Sequence, residues 1–449
     1  MASAPVTLEL GDVQGLVARG YGTLSAASFL LLGLEDGAAA RRWLASVLES
    51  VTSGDDRPEE RAVNVAFTSL GLLRLGLEDD VLQQFSNEFV HGMTTEHRRR
   101  VLGDVGDSSP ENWDWGGPSS DAVGAVLLLY ARDASELSAL LEEQSRLLVE
   151  NGVEVQRQLH TSNLDGFEPF GFRDGISQPI VEGLSKSGPA GQTVRAGEFV
   201  LGYVNEHGHL TDEPLVTEGI GRNGSYLVFR QLEQDVRGFW RFIDSASPHP
   251  AERTRLAAKM VGRWPGGAPL AVSPERDDPA LAEANDFGYF HEDPVGTGCP
   301  VGAHVRRTNP RDSLDPGPGT DKSLAINRRH RLLRRGREYG QALSQEAALT
   351  ESLAPDEQRG LHFICLNANI ARQFEFVQNT WLNNPKFAGL YDDSDPLIGQ
   401  SAPYGGTFTM PSATGARSRV NGMPRFITVK GGAYFFLPGL TALRRVASS

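Results

Sequence analysis

Three short segments of this 449-residue chain hold the side chains whose types and spacing could do chemistry. The run Glu168-Pro169-Phe170-Gly171-Phe172-Arg173-Asp174-Gly175-Ile176-Ser177-Gln178-Pro179 sets a carboxylate and a guanidinium between two glycines with apolar flanks. On its own that is a tight turn with an ion pair. The run from Gly298 to Arg311 contains Cys299, His304, Arg306 and Arg307. A lone histidine is more often structural than functional. Around His304, however, Gly302 and Ala303 leave room for a large planar group to approach the backbone, and Arg306 and Arg307 could meet carboxylates. Cys299, in a Cys-Pro dipeptide, is either a thiolate metal ligand or an ordinary buried small residue. The third run, Leu332 to Gly340, carries Arg334, Arg335 and Glu338.

Other patterns argue against familiar chemistries. Gly219-Ile220-Gly221-Arg222-Asn223-Gly224 fits GxGxxG, but a strand follows it instead of the helix N-terminus that a pyrophosphate needs. It reads as a glycine turn. His207 and His209 flank one glycine without an acidic or cysteine partner at ligand spacing, so they read as surface histidines. Two cysteines, Cys299 and Cys365, exclude a multi-cysteine metal site.

Together the three segments resemble the signature of the dye-decolorizing peroxidases, haem enzymes that use hydrogen peroxide. That family's GxxDG motif matches Gly171 to Gly175 at each fixed position. The likeness runs from Gly11-Asp12-Val13-Gln14-Gly15 to the last apolar strand. It implies haem b (iron protoporphyrin IX) with His304 as the axial iron ligand, because the family's ligand follows the same Cys-Pro-x-x-Ala stretch. It implies Asp174 as the acid–base that moves the peroxide proton, with the Gly171 and Gly175 turns letting it crowd the haem face. Arg334 becomes the charge stabiliser, favoured over Arg335 by its place in the apolar-apolar-Arg run. Arg306 is cast for the haem carboxylates, Leu361 and Phe363 as an apolar wall over the distal face, and Asp395 as acceptor of a hydrogen bond from the proximal imidazole. Asp392 and Asp393 compete for that last part. Tyr339, Trp381 and Tyr404 are either electron relays or core residues.

The implied function is a haem peroxidase that oxidises aromatic donors, such as dyes and phenols, by one-electron steps through a ferryl state. An alternative is a haem-binding or haem-delivery protein with incidental peroxidase activity. A third is a haem-free interaction protein keeping the motif as a turn.

Composition sets the outer limits. With 43 basic and 57 acidic residues the net charge is −14, which disfavours nucleic acid and anionic membranes as partners and draws cations. Two cysteines suit a reducing compartment. Glu9 and Asp12 precede the first basic residue, and Arg41-Arg42 belongs to a helix face, so no export signal is read. The expectation is a soluble, cytoplasmic protein of the longer bacterial branch of the family, with its oligomeric state open.

The segments that must position these residues alternate strand and helix. Ser28 to Leu32, Ala62 to Ser69, Ala122 to Tyr130 and Gly152 to Leu159 read as strands. Helices fall over Asp36 to Val51 and after Asp133, where Glu136 three residues on suggests a capping box. The second half repeats the theme with strands at Ser225 to Leu232, Leu361 to Leu366 and Gly432 to Leu437. Ile370, Phe374, Val377 and Trp381 recur at spacings of four, three and four, predicting an α-helix over Asn369 to Leu382. Pattern alone predicts two α+β sandwiches. The resemblance sharpens this to two ferredoxin-like domains with antiparallel sheets, the haem lying in a cavity mainly of the second. The division is 1–215, carrying the GxxDG motif, and 216–449, with the boundary near Val216.

Overall fold

The computed structural model describes residues 6–184, 192–211, 213–214, 219–350, 356–399 and 405–448. The first apolar run forms β1 (Ala26–Gly33), buried at all but its first residue. Asp36 ends it and caps α1 (Gly37–Val47), accepting from the amides of Ala38 and Ala39. After β2 (Arg61–Phe67) and β3 (Ala125–Ala131), Asp133 caps α2 (Ala134–Asn151) through the amide of Glu136, the aspartate half of the expected box. Gly152, at φ +71°, closes α2 and turns the chain into β4 (Glu154–His160). These strands pair antiparallel in the order β4-β1-β3-β2, the β-α-β-β-α-β ferredoxin-like arrangement.

The second half repeats that order. Strand β5 (Ser225–Gln234) leads into α3 (Val236–Ala246). Two short strands, β6 (Leu333–Arg334) and β7 (Arg337–Tyr339), precede β8 (Gly360–Asn367), and β9 (Ile427–Leu437) closes the set. The order is β9-β5-β8-β6, with β7 also on β8, and every pair is antiparallel. The two halves join where Phe436 of β9 pairs with Phe67 of β2, giving one nine-stranded sheet. Each half thereby covers an edge that the other would leave open.

Side-chain alternation divides the core between the two faces of this sheet. Leu30, Leu32, Val63, Val65 and Leu127 meet Trp43 and Leu44 of α1 on one face. Phe29, Leu31, Val126 and Leu128 meet Val13, Leu16 and Phe199 on the other. Buried on both sides, β1 and β3 are continuous apolar runs.

One expectation changes. Ala371–Glu375 and Val377–Leu382 are wound as π-helix, with the Glu375 amide on the Ile370 carbonyl and the Asn383 amide on Gln378. Gln373 ties its first turn to neighbouring chain, accepting from the amides of Ala368 and Asn369 and donating to the carbonyls of Glu198 and Arg331. Those tertiary bonds override the local preference, while Ile370, Phe374, Val377 and Trp381 all remain buried. The boundary expected near Val216 lies outside the described residues. Gly219 to Gly224 is a turn into β5, closed by the Gly224 amide on the Gly221 carbonyl. No helix among the described residues is long and apolar enough to cross a membrane.

Candidate active site

His304 opens the short helix α4 (His304–Thr308). Its approach is fixed by Asp293, whose carboxylate accepts from the amides of Thr297 and Cys299. The imidazole Nδ1 lies 3.0 Å from Asp395 Oδ2, and Asp395 Oδ1 accepts from the amides of Leu397 and Ile398, each at 3.0 Å. A carboxylate with that partner makes Nδ1 the donor. Nε2 is left with no hydrogen-bond partner among the described residues. Burial works against a charged imidazole, yet the charge and hydrogen bond of Asp395 raise its pKa above the ordinary value. Burial likewise pushes Asp395 up, and the histidine, Arg307 and the Ile398 amide bring it below the usual carboxylate range.

Of the three neighbouring aspartates, Asp395 is the one bonded to the imidazole. Asp393 accepts from Thr407 and the Thr409 amide, and Asp392 is an exposed partner of Arg419.

Asp174 sits on a loop closed by Glu168, whose carboxylate accepts from the amides of Phe170 and Phe172 and from Gln234 Nε2. Gly171 and Gly175 take φ of +95° and +80°, and a Cβ added to either would meet no protein atom within 4 Å. Backbone conformation, rather than crowding, therefore calls for glycine at these positions. Arg334 reaches Asp174 from β6, its Nη1 donating to Oδ1 at 2.8 Å. The Gly175 amide donates to the same oxygen at 2.6 Å. Burial raises the Asp174 pKa, but the Arg334 charge and these bonds outweigh it and hold the carboxyl below its usual range. The charges of Asp174 and Arg334 both act on His304. Arg335 faces the other way, donating to the carbonyls of Leu16 and Val17. Strand alternation thus selects Arg334.

Exposure separates cavity walls from packed interior. The side chains of Asp174, Arg334 and His304 are 34%, 31% and 31% exposed, although Asp174 and His304 sit deep among protein groups. Leu361 and Phe363 are half-buried on the same side of β8. Arg306, expected at the haem carboxylates, is only 4% exposed. It donates to the carbonyls of Asp293 and Cys299 and lies over the Tyr289 ring, so its charge is spent inside the protein. Arg307 is similarly used by the carbonyls of Gly302, Trp381, Asn384 and Asp393.

Gly302 and Ala303 do not make space for a planar group. A Cβ on Gly302 would touch Phe408 and Leu390, and Ala303 packs near Gly262. Cys299 is fully buried and its thiol is pushed up to about 11 by that burial, so a thiolate ligand is not on offer. Tyr339 stacks on His362, and Trp381 packs with Phe376 and Phe387. Tyr404 lies outside the described residues.

What sequence reading missed is a group of buried arginines beside Arg334. Arg263, Arg311 and Arg331 have no carboxylate within ion-pair distance among the described residues, and Arg263 Nη2 and Arg311 Nε have no partner there. Burial, then the charges of Arg311 and Arg334, push Arg331 down to about 9. Guanidinium groups stay protonated in proteins, so this shift registers burial first and the crowding of like charges second. The signal available beforehand was the turn-forming Asn309-Pro310 pair ahead of Arg311, which the fold holds at φ +54°. An imidazole with a spare nitrogen, apolar walls and cations lacking anions suit an iron porphyrin bearing carboxylates.

No protein-family model matches the chain. It is 32% identical over 476 residues to a dye-decolorizing peroxidase of Mycena epipterygia, covering 94% of this chain and 84% of that protein. A multifunctional dye peroxidase of an Amycolatopsis species is 31% identical over 445 residues, 92% of this chain and 91% of its own. The solved fungal DyP-type peroxidase from Auricularia auricula-judae superposes with a TM-score of 0.82 at 28% identity, covering 98% of this chain and all of that one. These relatives favour the enzyme over the haem-delivery alternative. The chain belongs to the dye-decolorizing peroxidase family and is a haem b peroxidase of two ferredoxin-like, antiparallel α+β halves.

Proposed function

We propose that His304 holds the iron, that Asp174 is the acid–base and that Arg334 stabilises developing negative charge. Bound haem b supplies the redox chemistry with hydrogen peroxide and with reducing donors. The chain's own part is positioning and proton handling. Arg334 and the Gly175 amide both bond Asp174 Oδ1, so Oδ2 is the oxygen placed to take and return the peroxide proton. The fixed positive charge of Arg334 keeps that carboxylate ionised and favours the anion that forms as a proton leaves the peroxide. Leu361 and Phe363 limit water beside the couple, and Arg331, buried with no carboxylate partner among the described residues, supports recognition of the porphyrin carboxylates. The carrying observation is the ion-paired carboxylate and guanidinium beside an imidazole whose far nitrogen is tied to a buried aspartate.

Aromatic reductants such as dyes and phenols are the donors in this reading. The charge of −14 supports the absence of nucleic acid and anionic membranes from its partners. Two unpaired buried cysteines support a cytoplasmic location. The repeated strand order supports the division at 1–215 and 216–449.

The test is stopped-flow mixing of haem-loaded protein with peroxide. Asp174→Asn should keep the haem spectrum and react at least about a hundredfold more slowly. An unchanged rate would remove Asp174 from the reaction.

A further inference from the structure

The strand that delivers Arg334 also delivers a carboxylate, Glu338. Pairing of β6 and β7 with β8 stays in one register: Arg334 faces Cys365, Arg337 faces His362 and Glu338 faces Leu361. Alternation then places Arg334, Gly336 and Glu338 on one side of the sheet, opposite Cys365, Phe363 and Leu361. This is the side that carries the apolar wall and the Asp174–Arg334 couple. Arg335 and Arg337 point to the other side, where they donate to carbonyls of the Leu16 to Leu24 segment. Arg334 and Glu338 stand about 13 Å apart along the strand. Gly336 between them puts no side chain in the interval, and it lies so close to β8 that a Cβ there would meet the His362 carbonyl oxygen at 2.5 Å.

Glu338 is half-buried, and none of the described cations lies within ion-pair distance of it. The charges that act on it are those of Asp174, paired with Arg334, and of Arg337 on its own strand, and the 162–166 turn packs beside them. That turn docks on β7 through the Ser162 amide and on Asp174 through the Gly166 carbonyl. No charged residue of β8 shares its face.

We propose that Glu338 is the proton-exchange partner of Asp174, acting through it to connect the distal couple with solvent. The need follows from the proposed role of Asp174, on which this inference rests. A carboxylate held ionised by Arg334 is a ready base but a poor proton reservoir. Glu338 has the complementary property: burial first, then the Asp174 charge, raise its pKa above the ordinary glutamate value. Protonated Asp174 breaks its O–H bond and passes the proton through water to the Glu338 carboxylate, where a new O–H bond forms. The reverse transfer returns a proton for the departing hydroxide. No electrons move in either step. Two carboxylates with oppositely displaced pKa values divide the acid and base tasks.

The test uses the haem-loaded enzyme with Glu338→Gln, close to isosteric, beside Asp174→Asn. Glu338→Gln should keep the haem spectrum and slow the peroxide step about tenfold. It should also remove one ionisation from the pH profile of that step, and added formate or acetate should restore part of the rate. Such rescue does not follow from a merely structural role. Independently of turnover, infrared pH titration should show a carboxyl band that Glu338→Gln abolishes and that Asp174→Asn moves to lower pH. If Glu338→Gln matches wild type in rate and profile while Asp174→Asn is slow, the relay is refuted and the Asp174 assignment stands. If both variants react like wild type, both assignments fall. A Glu338 band indifferent to Asp174→Asn also overturns the relay.

Discussion

Replacing Asp395 with asparagine probes the base of the site with a change of one atom. The aspartate has two jobs: Oδ1 accepts from the amides of Leu397 and Ile398, and Oδ2 accepts from His304 Nδ1. Its side chain is fully buried, so no water compensates for a lost partner. An asparagine that keeps its oxygen on the two amides must turn its NH2 towards Nδ1. That forces the imidazole proton onto Nε2, the nitrogen that should bind iron. Turned the other way, the NH2 faces two amide donors. Either orientation loses a bond to a charged group, about 1.5–3 kcal/mol, which is about 10–100-fold in haem affinity. Titrating apoprotein with haem and following the Soret band reads this directly. The exposed neighbour serves as control: Asp392→Asn should stay within about twofold. If Asp395→Asn bound haem within twofold of wild type with an unchanged spectrum, the tautomer argument would be wrong.

Three further expectations follow from charge and burial. Arg334→Leu removes the influence that holds Asp174 low, so the base form is lost at a higher pH and the acidic limb of the peroxide pH–rate profile moves upwards. A limb that stays in place would refute that coupling. Arg230→Met strands the buried carboxylate of Asp104, which burial already pushes up, and should cost about 3–5 kcal/mol in urea denaturation. Adding Asp104→Leu should recover most of it; a double variant as weak as the single would exclude an unpaired charge as the cause. Burial pushes Glu168 up to about 7 from 4.5, so the folded state holds more protons than the unfolded one between those values. Its contribution is therefore present in acid and lost as pH rises through that window. Glu168→Gln should flatten this part of the wild-type stability curve, and an unaltered slope in thermal unfolding of apoprotein would contradict it.

Much of the candidate site was legible because its residues sit in short local motifs. Asp174, His304 and Arg334 are each singled out as candidates by immediate neighbours, and strand alternation separates Arg334 from Arg335. Arg306 was misread because a helix of five residues does not reveal which direction its side chains take. Its fate depends on Asp293, Cys299 and Tyr289, a contact set that only folding assembles. Arg311 escaped notice for the opposite reason, since its left-handed backbone carries its side chain out of any helical or strand period. The ferredoxin-like halves follow from hydrophobic periodicity within each. Their joining through Phe67 and Phe436 could not be read, because it links positions far apart that share no local signal.

That junction makes the order of assembly matter. β9, last of the nine strands along the chain, occupies the middle of the finished sheet, between β2 and β5. Until it docks, each half presents an apolar strand with open hydrogen-bonding groups, a template for pairing with a second molecule. Truncation ahead of Ile427 would therefore leave two adhesive borders in place of one seam, and self-association would be its first symptom.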